Sequence, residues 1–189
     1  MRKNRKEKTS VGMRFETVYQ EQKDVVYGYL FYMTRDRQTA EDLSQETFLK
    51  VYLGLRRFKG TCSEKTWCLT IARNTFLSYA KKKQPVLLEE TGLEGLQMAD
   101  CASPEEHLLK EEEAKAIREI LLSLNADDRT IILLRDYEKM AYAEIADVME
   151  LSEPVVKVRL HRARKRYRDR YEKMKRNEKR NEEVRADGV

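Results

Sequence analysis

YAEIADVMELSEPVVKVRLHRARKRYR, residues 142–168, sets two short apolar periods on either side of a turn and then runs into a basic segment. With Ala143 to Met149 on one helix and Glu153 onward on another, Ile145, Met149, Leu151, Val156 and Leu160 close a small core. Ala146 then falls at the tight crossing of the two helices. Ser152 is placed to cap the second helix, and Pro154 lies in its first turn, where a missing N–H costs little. On a helical wheel Val156, Leu160, Ala163 and Tyr167 share the inward side. Pro154, Lys157, Val158, His161, Arg162 and Lys165 share the outward one, which Ser152 begins. That outward side offers long donors for guanine and phosphate and an apolar contact for a thymine methyl. Basic helices often do no more than solvate, but periodic inward packing beside concentrated outward charge favours a helix-turn-helix that reads duplex DNA. Arg164 to Arg180 is expected to contact phosphate or to be a solvated tail rather than to read bases.

The rest of the chain fits an all-helical protein. Glycine and proline number only 7 and 3, which argues against sandwiches, barrels and turn-dense β folds. Charge is unevenly spread. Lys157 to Arg180 holds 13 Lys or Arg against 3 acids, whereas Gln84 to Glu113 holds 9 acids against one lysine. A basic end invites polyanions, and the acidic middle keeps that end from being generically sticky. Cys62, Cys68 and Cys101 are odd in number and show no C-x-x-C spacing, as expected of reduced thiols in a cytosol. The opening MRKNRKEKTSVG is basic without the apolar stretch of a signal peptide, and no run approaches the roughly 20 apolar residues of a membrane span. The expectation is a soluble, cytoplasmic chain.

Five segments follow. Residues 1–12 read as a basic, disordered arm. Residues 13–84 read as a first helical domain. Its first helix carries a stripe of Phe15, Val18, Tyr19, Val26, Tyr29, Leu30 and Met33, its second covers roughly Gln38 to Leu55, and its third about Lys65 to Lys82. Residues 85–108 form an acidic, flexible linker with two glycines and two prolines. Residues 109–173 are the second small domain, with Asn125 as an N-cap and an apolar helix from Asp127 to Tyr137 before the helix-turn-helix. Residues 174–189 are a charged tail.

The first domain has two unusual surfaces. On the second helix Ala40, Leu43, Thr47, Phe48, Val51 and Tyr52 form the apolar arc, opposite a stripe of Asp42, Gln45, Glu46, Leu49 and Leu53. Two carboxylates and an amide beside exposed leucines make a docking face for a basic, partly apolar partner. The second surface is RRFKGTCSEKTWCLTIARNTFLSYAKKK, residues 56–83, which interleaves cations with Phe58, Trp67, Phe76 and Tyr79. Most of those aromatics belong to the core at helical spacing. Even so, cations that follow a strand, aromatics that stack and an amide such as Asn74 suit unstacked bases.

AEDLSQETFLKVY, TWCLTIARNTFLSYAKKK and the 142–168 stretch, in this order across a linker, resemble the signature segments of extracytoplasmic-function sigma factors of bacterial RNA polymerase. The likeness covers roughly residues 13 to 173. It implies a chain that binds core polymerase and directs promoter recognition and initiation in a stress or envelope response. Asp42, Gln45, Glu46 and Leu49 would dock on the β′ clamp. Phe58, Lys59, Lys65, Trp67, Arg73, Asn74, Ser78 and Lys81 would melt and hold the minus-ten element. Ser152, Pro154, Lys157, Val158, His161, Arg162 and Lys165 would read the minus-thirty-five element. The implied partners are core polymerase (its β′ clamp and β flap), promoter DNA and a cognate anti-sigma factor, often membrane-anchored, with no cofactor, metal or small-molecule substrate. The chain departs from the pattern at Ser78, where an acid is common, and at Ala141, where a Ser or Thr cap is usual. Glu150 replaces a small turn residue at a cost of order 1 kcal/mol. Pro154 and Val155 replace a more polar pair, so promoter preference does not carry over.

Two other classes stand beside this one. A dimeric helix-turn-helix repressor or activator without polymerase docking predicts a palindromic site. A nuclease wants carboxylates clustered for metal beside the basic surface. Here the acids lie on the opposite stripe or in the linker, and only His107 and His161 are available as imidazole bases, so the expectation is no enzyme.

Overall fold

The apolar stripe between Phe15 and Met33 is the inner face of a long helix, α1 (Arg2–Thr34). The computed structural model describes residues 2–82 and 116–186, and every regular element among them is helical. Val18, Val26, Tyr29, Leu30 and Met33 are buried, whereas Tyr19 reaches the surface. Residues 2–12, expected as an irregular arm, are the first turns of α1. Arg, Lys and Glu are good helix formers, and Gly12 alone does not interrupt them. The helix stops at Thr34, Arg35 turns the chain at φ 66°, and Asp36 caps α2 (Arg37–Gly54) by accepting from Thr39 N at 2.7 Å.

On α2 the residues Ala40, Leu43, Thr47, Phe48 and Val51 point inward. Tyr52, expected on that arc, is 45% exposed, because its ring stands edge-on to Phe15 at the rim of the core, 5.2 Å between centroids. A 3-10 turn (Leu55–Arg57) and a short loop lead to α3 (Glu64–Lys82), whose last turn carries Lys81 and Lys82 against the helix dipole. These three helices pack pairwise into the first bundle.

The acidic linker expected at 85–108, with Cys101 and His107, lies outside the described residues. The second half comprises α4 (116–123), α5 (Ala126–Ile132), α6 (Tyr142–Met149) and α7 (Glu153–Ala186). Asn125 caps α5 by accepting from Asp128 N at 2.8 Å, with Asp127 and Asp128 in the first turn. The apolar run expected as one helix to Tyr137 widens at Leu133 into a π turn (Leu133–Tyr137), closed by Glu138 N donating to Leu133 O at 3.0 Å. Residues 174–186, expected as a charged tail, continue α7 as helix.

Candidate nucleic-acid interface

Ile145, Ala146, Met149, Val156, Leu160 and Ala163 are all buried between α6 and α7, with Leu151 half-buried at the turn. The turn itself is made by Glu150 at φ 56° and ψ 47°, a left-handed conformation that glycine adopts without a Cβ penalty. Leu151 N then donates to Ala146 O at 3.0 Å, which closes the C-terminus of α6. Ala141 has no acceptor to cap α6. Glu144 supplies the other half of a capping box by accepting from Ala141 N at 2.9 Å.

This packing leaves Ser152, Pro154, Lys157, Val158, His161, Arg162 and Lys165 exposed on one side of the hairpin. Lys157 Nζ lies 5.5 Å from the centre of the Tyr142 ring, which carries the amine along the α6 edge. Four arginines of α7 behave differently. Arg164 binds Asp136, Arg166 reaches Asp128 at 2.7 Å, Arg159 reaches Asp127 at 3.5 Å, and Arg170 donates to Ser123 Oγ at 2.6 Å. The hydrogen bond to Asp136 is the main reason the Arg164 guanidinium sits above its ordinary pKa. Arginines 164, 166 and 170, expected to meet phosphate or solvent, are half-exposed or exposed and also tie α7 to its own half of the chain. The run is therefore two faces, one spent on packing and one turned outward.

The basic-aromatic segment of the first half divides in the same way. Phe58 and Trp67 stack on each other, 4.5 Å between ring centroids, and Arg14 lies over the Phe58 ring. Gly54 backs the indole so closely that a Cβ there would meet Trp67 at 3.0 Å. On α3 the spacing of Trp67, Asn74, Ser78 and Lys81 puts them on one side, with Asn74, Ser78 and Lys81 exposed. Lys59 is exposed on the preceding loop. Lys65 and Arg73 lie on a different side of α3, facing the second half of the chain. The eight residues expected at one site thus form two groups.

The α2 stripe opens away from its bundle. Asp42, Gln45 and Glu46 are exposed, and Leu49 and Leu53 are 59% and 67% exposed. Glu46 is paired with Lys50 at 2.7 Å, and Asp42 accepts from Gln38 Nε2 at 3.2 Å.

Contact between the halves was not anticipated from the sequence. Their buried side chains form one continuous cluster. Arg129, only 7% exposed, donates to the carbonyls of Leu121, Leu122 and Leu124 on one side and of Tyr32 and Met33 on the other. Tyr29 OH and Thr130 Oγ1 share a buried hydrogen bond at 3.0 Å, and burial pushes the Tyr29 phenol up to about 12. Arg129 shows no signal in the sequence, since a lone arginine inside an apolar helix could as well lie on a solvated face.

Residues 18–86 match sigma-70 region 2, and residues 114–166 match sigma-70 region 4. The chain is similar to RNA polymerase sigma factor YlaC of Bacillus subtilis (strain 168), at 33% identity over 150 residues, covering 79% of this chain and 87% of the relative. It is similar also to the ECF RNA polymerase sigma factor SigX of the same organism, at 31% identity over 177 residues, covering 92% and 91%. Among solved structures it resembles the sigma factor RpoE of Bartonella quintana, solved in complex with the anti-sigma factor NepR. The TM-score is 0.70 at 22% identity, covering 84% of this chain and 97% of that one, a likeness of fold.

Proposed function

The chain belongs to the extracytoplasmic-function sigma factors of bacterial RNA polymerase, and from that premise we propose how its surfaces divide the work. As a sigma factor it binds core polymerase and directs promoter recognition and transcription initiation. Residues 13–84 act as the unit for core polymerase and the minus-ten element, and residues 109–173 as the unit for the minus-thirty-five element. Asp42, Gln45, Glu46 and Leu49 dock on the β′ clamp, a basic partner being favoured by the two carboxylates and an apolar one by the leucines. An open apolar groove lined by Leu121, Ile132, Tyr137, Tyr167 and Tyr171 suits the β flap. Trp67, Asn74, Ser78 and Lys81, with Phe58 and Lys59, hold the melted minus-ten strand. Base capture there offsets unstacking, which costs a few kcal/mol per step.

The observation that carries this reading is the outward side of α7. Lys157, Val158, His161, Arg162 and Lys165 are presented together there, while the neighbouring arginines are engaged inside the domain. Such a face, entering the major groove by its N-terminal turns, reads the minus-thirty-five element. Polymerase supplies the chemistry; this chain supplies binding energy, and it does so in the cytoplasm. No helix among the described residues is long and apolar enough to cross a membrane. An anti-sigma protein, of the kind that accompanies the related RpoE, is the expected negative regulator.

Run-off transcription with bacterial core polymerase and a pool of promoter fragments tests the whole. New, sequence-dependent transcripts are expected only when this protein is present. Transcription unchanged by the protein, together with dimeric binding to a palindromic duplex, would establish a repressor instead.

A further inference from the structure

Arg14 precedes the segment that matches sigma-70 region 2, which begins at residue 18, yet it meets both ends of the loop that leads into α3. That loop, residues 58–63, starts at Phe58 and is closed by Glu64, the first residue of α3. The Arg14 guanidinium lies over the Phe58 ring, 5.6 Å from its centroid, and its Nη2 donates to Glu64 Oε1 at 3.0 Å. One planar cation from α1 thus joins the start of the loop to its end. Phe15, edge-on to Tyr52 at 5.2 Å between centroids, pins the neighbouring position of α1 at the rim of the core, so the base of the Arg14 side chain is fixed.

Much of the loop lacks support of its own. Lys59, Gly60 and Thr61 are exposed, and Gly60 turns at φ 70°. Phe58 N donates to Leu55 O at 3.3 Å, and Thr66 N donates to Ser63 Oγ at 3.1 Å, but these bonds secure each end to its own helix. The ends are bridged by the stack of Phe58 on Trp67 and by Arg14 across Phe58 and Glu64.

We propose that Arg14 is a positioning residue for capture of an unpaired base: it holds the Phe58 ring in its stack on Trp67 and keeps the 58–63 loop in the shape that receives the strand. This role rests on the sigma-factor reading of the surface and brings in a residue from outside the matched segment. A loop already ordered before binding loses less conformational freedom when the strand arrives, so it binds more tightly. The Arg14 and Glu64 side chains are 49% and 30% exposed, so the pair adds little to global stability, and its loss leaves the buried bundle in place.

Direct phosphate binding by Arg14 makes the opposite demand on Glu64. Were Arg14 a phosphate contact, neutralising Glu64 would remove an acid from beside the strand and tighten binding. Bracing requires the reverse, because Glu64→Gln takes away the group that aims the guanidinium. The sign of the Glu64→Gln effect separates the two.

The test uses the full-length protein carrying Arg14→Gln, Glu64→Gln or both. Run-off transcription with core polymerase is measured over a range of concentrations of a promoter that the wild type transcribes. Each single substitution should raise the half-maximal promoter concentration about fivefold, as for loss of an exposed ion pair and a cation–π contact, and the double should go no further because the two share one contact. Without polymerase, acrylamide quenching of Trp67, the single tryptophan, should rise in each variant as the stack loosens, while circular dichroism and the thermal midpoint stay at wild-type values. Glu64→Gln probes the same contact from α3 if Arg14→Gln folds poorly. Additive losses in the double variant, tighter promoter binding by Glu64→Gln, or Trp67 quenching unchanged in a folded Arg14→Gln each overturn the bracing role. Absence of promoter-dependent transcription by the wild type refutes the sigma-factor reading beneath it, whereas the quenching result still decides whether Arg14 holds the stack.

Discussion

The guanidinium of Arg129, on α5, ends 2.9 Å from the main-chain oxygen of Met33 in the last turn of α1. The same side chain reaches the carbonyls at the end of α4, so one cation satisfies the C-termini of two helices from different halves of the chain. Burial pulls its pKa down to about 10, which still leaves it charged at neutral pH. Arg129→Met should destabilise the protein by about 3 kcal/mol or more, because five carbonyls lose a charged donor in a site water does not reach. Arg129→Lys should also destabilise, since one ammonium does not reach both helix ends. Urea unfolding followed through Trp67 fluorescence measures both. An unchanged midpoint for the methionine variant would remove Arg129 as the staple.

Glu150→Gly should act in the opposite direction. The position sits at φ 56°, where a Cβ is strained, and glycine relieves that strain while adding freedom to the unfolded chain. The net expectation is a gain of about 0.5–1 kcal/mol, read as a higher thermal midpoint. A loss of stability would mean that the glutamate side chain makes a contact worth more than the strain.

Much of this molecule was legible in its sequence, and the parts that were not share a cause. The helix-turn-helix could be read because Ile145, Met149, Val156 and Leu160 recur at helical spacing and all of them are buried. The exposed stripe of α2 could be read because Leu49 and Leu53 are apolar where solvent is expected, and both are exposed. Periodicity reports which side of a helix is inward; it does not report which other helix lies there. The partners of Lys65 and Arg73 could not be read, since their acceptors on Glu138 and Asp127 are 73 and 54 residues away in the chain. Arg164 and Arg166 likewise looked like a free basic run because Asp136 and Asp128 precede them by 28 and 38 residues. Pairings of that kind arise from packing, and no local pattern announces them.

Asp42→Ala with Glu46→Ala should weaken association with core polymerase severalfold and leave the fold intact. Both side chains are exposed, and their partners within the chain are Gln38 and Lys50 on the same helix surface. Fluorescence anisotropy with labelled core polymerase measures the affinity, and circular dichroism the fold. Normal association by a folded variant would move the docking face elsewhere.

Lys157→Ala and Arg162→Ala should each cost about 1–3 kcal/mol in discrimination at the upstream element if the side chain meets a base edge, and less if it meets only phosphate. The two cases separate by comparing promoter variants mutated at single upstream positions. A phosphate contact weakens all of them alike, while a base contact relaxes preference at one position. If both variants discriminate as the wild type does, the outward side of α7 is not the reading face.

The two described cysteines differ in burial and should differ in reactivity. Burial pushes the Cys68 thiol up to about 12, so its thiolate is negligible at pH 8 and it should resist iodoacetamide in any folded form. Cys62 is half-buried, and its pKa is raised first by burial and then by Asp147 and Glu144 of α6. A lower thiol pKa means more thiolate at a fixed pH, so Cys62 alkylation, followed by mass spectrometry at pH 8, should be slow in the wild type and faster when Asp147→Asn and Glu144→Gln remove both charges. Its rate should also rise with pH in both proteins, with the rise displaced to higher pH in the wild type. Cys68 must stay silent throughout, because its reaction would signal unfolding. Equal Cys62 rates in the two folded proteins would show that the two acids do not act on this thiol.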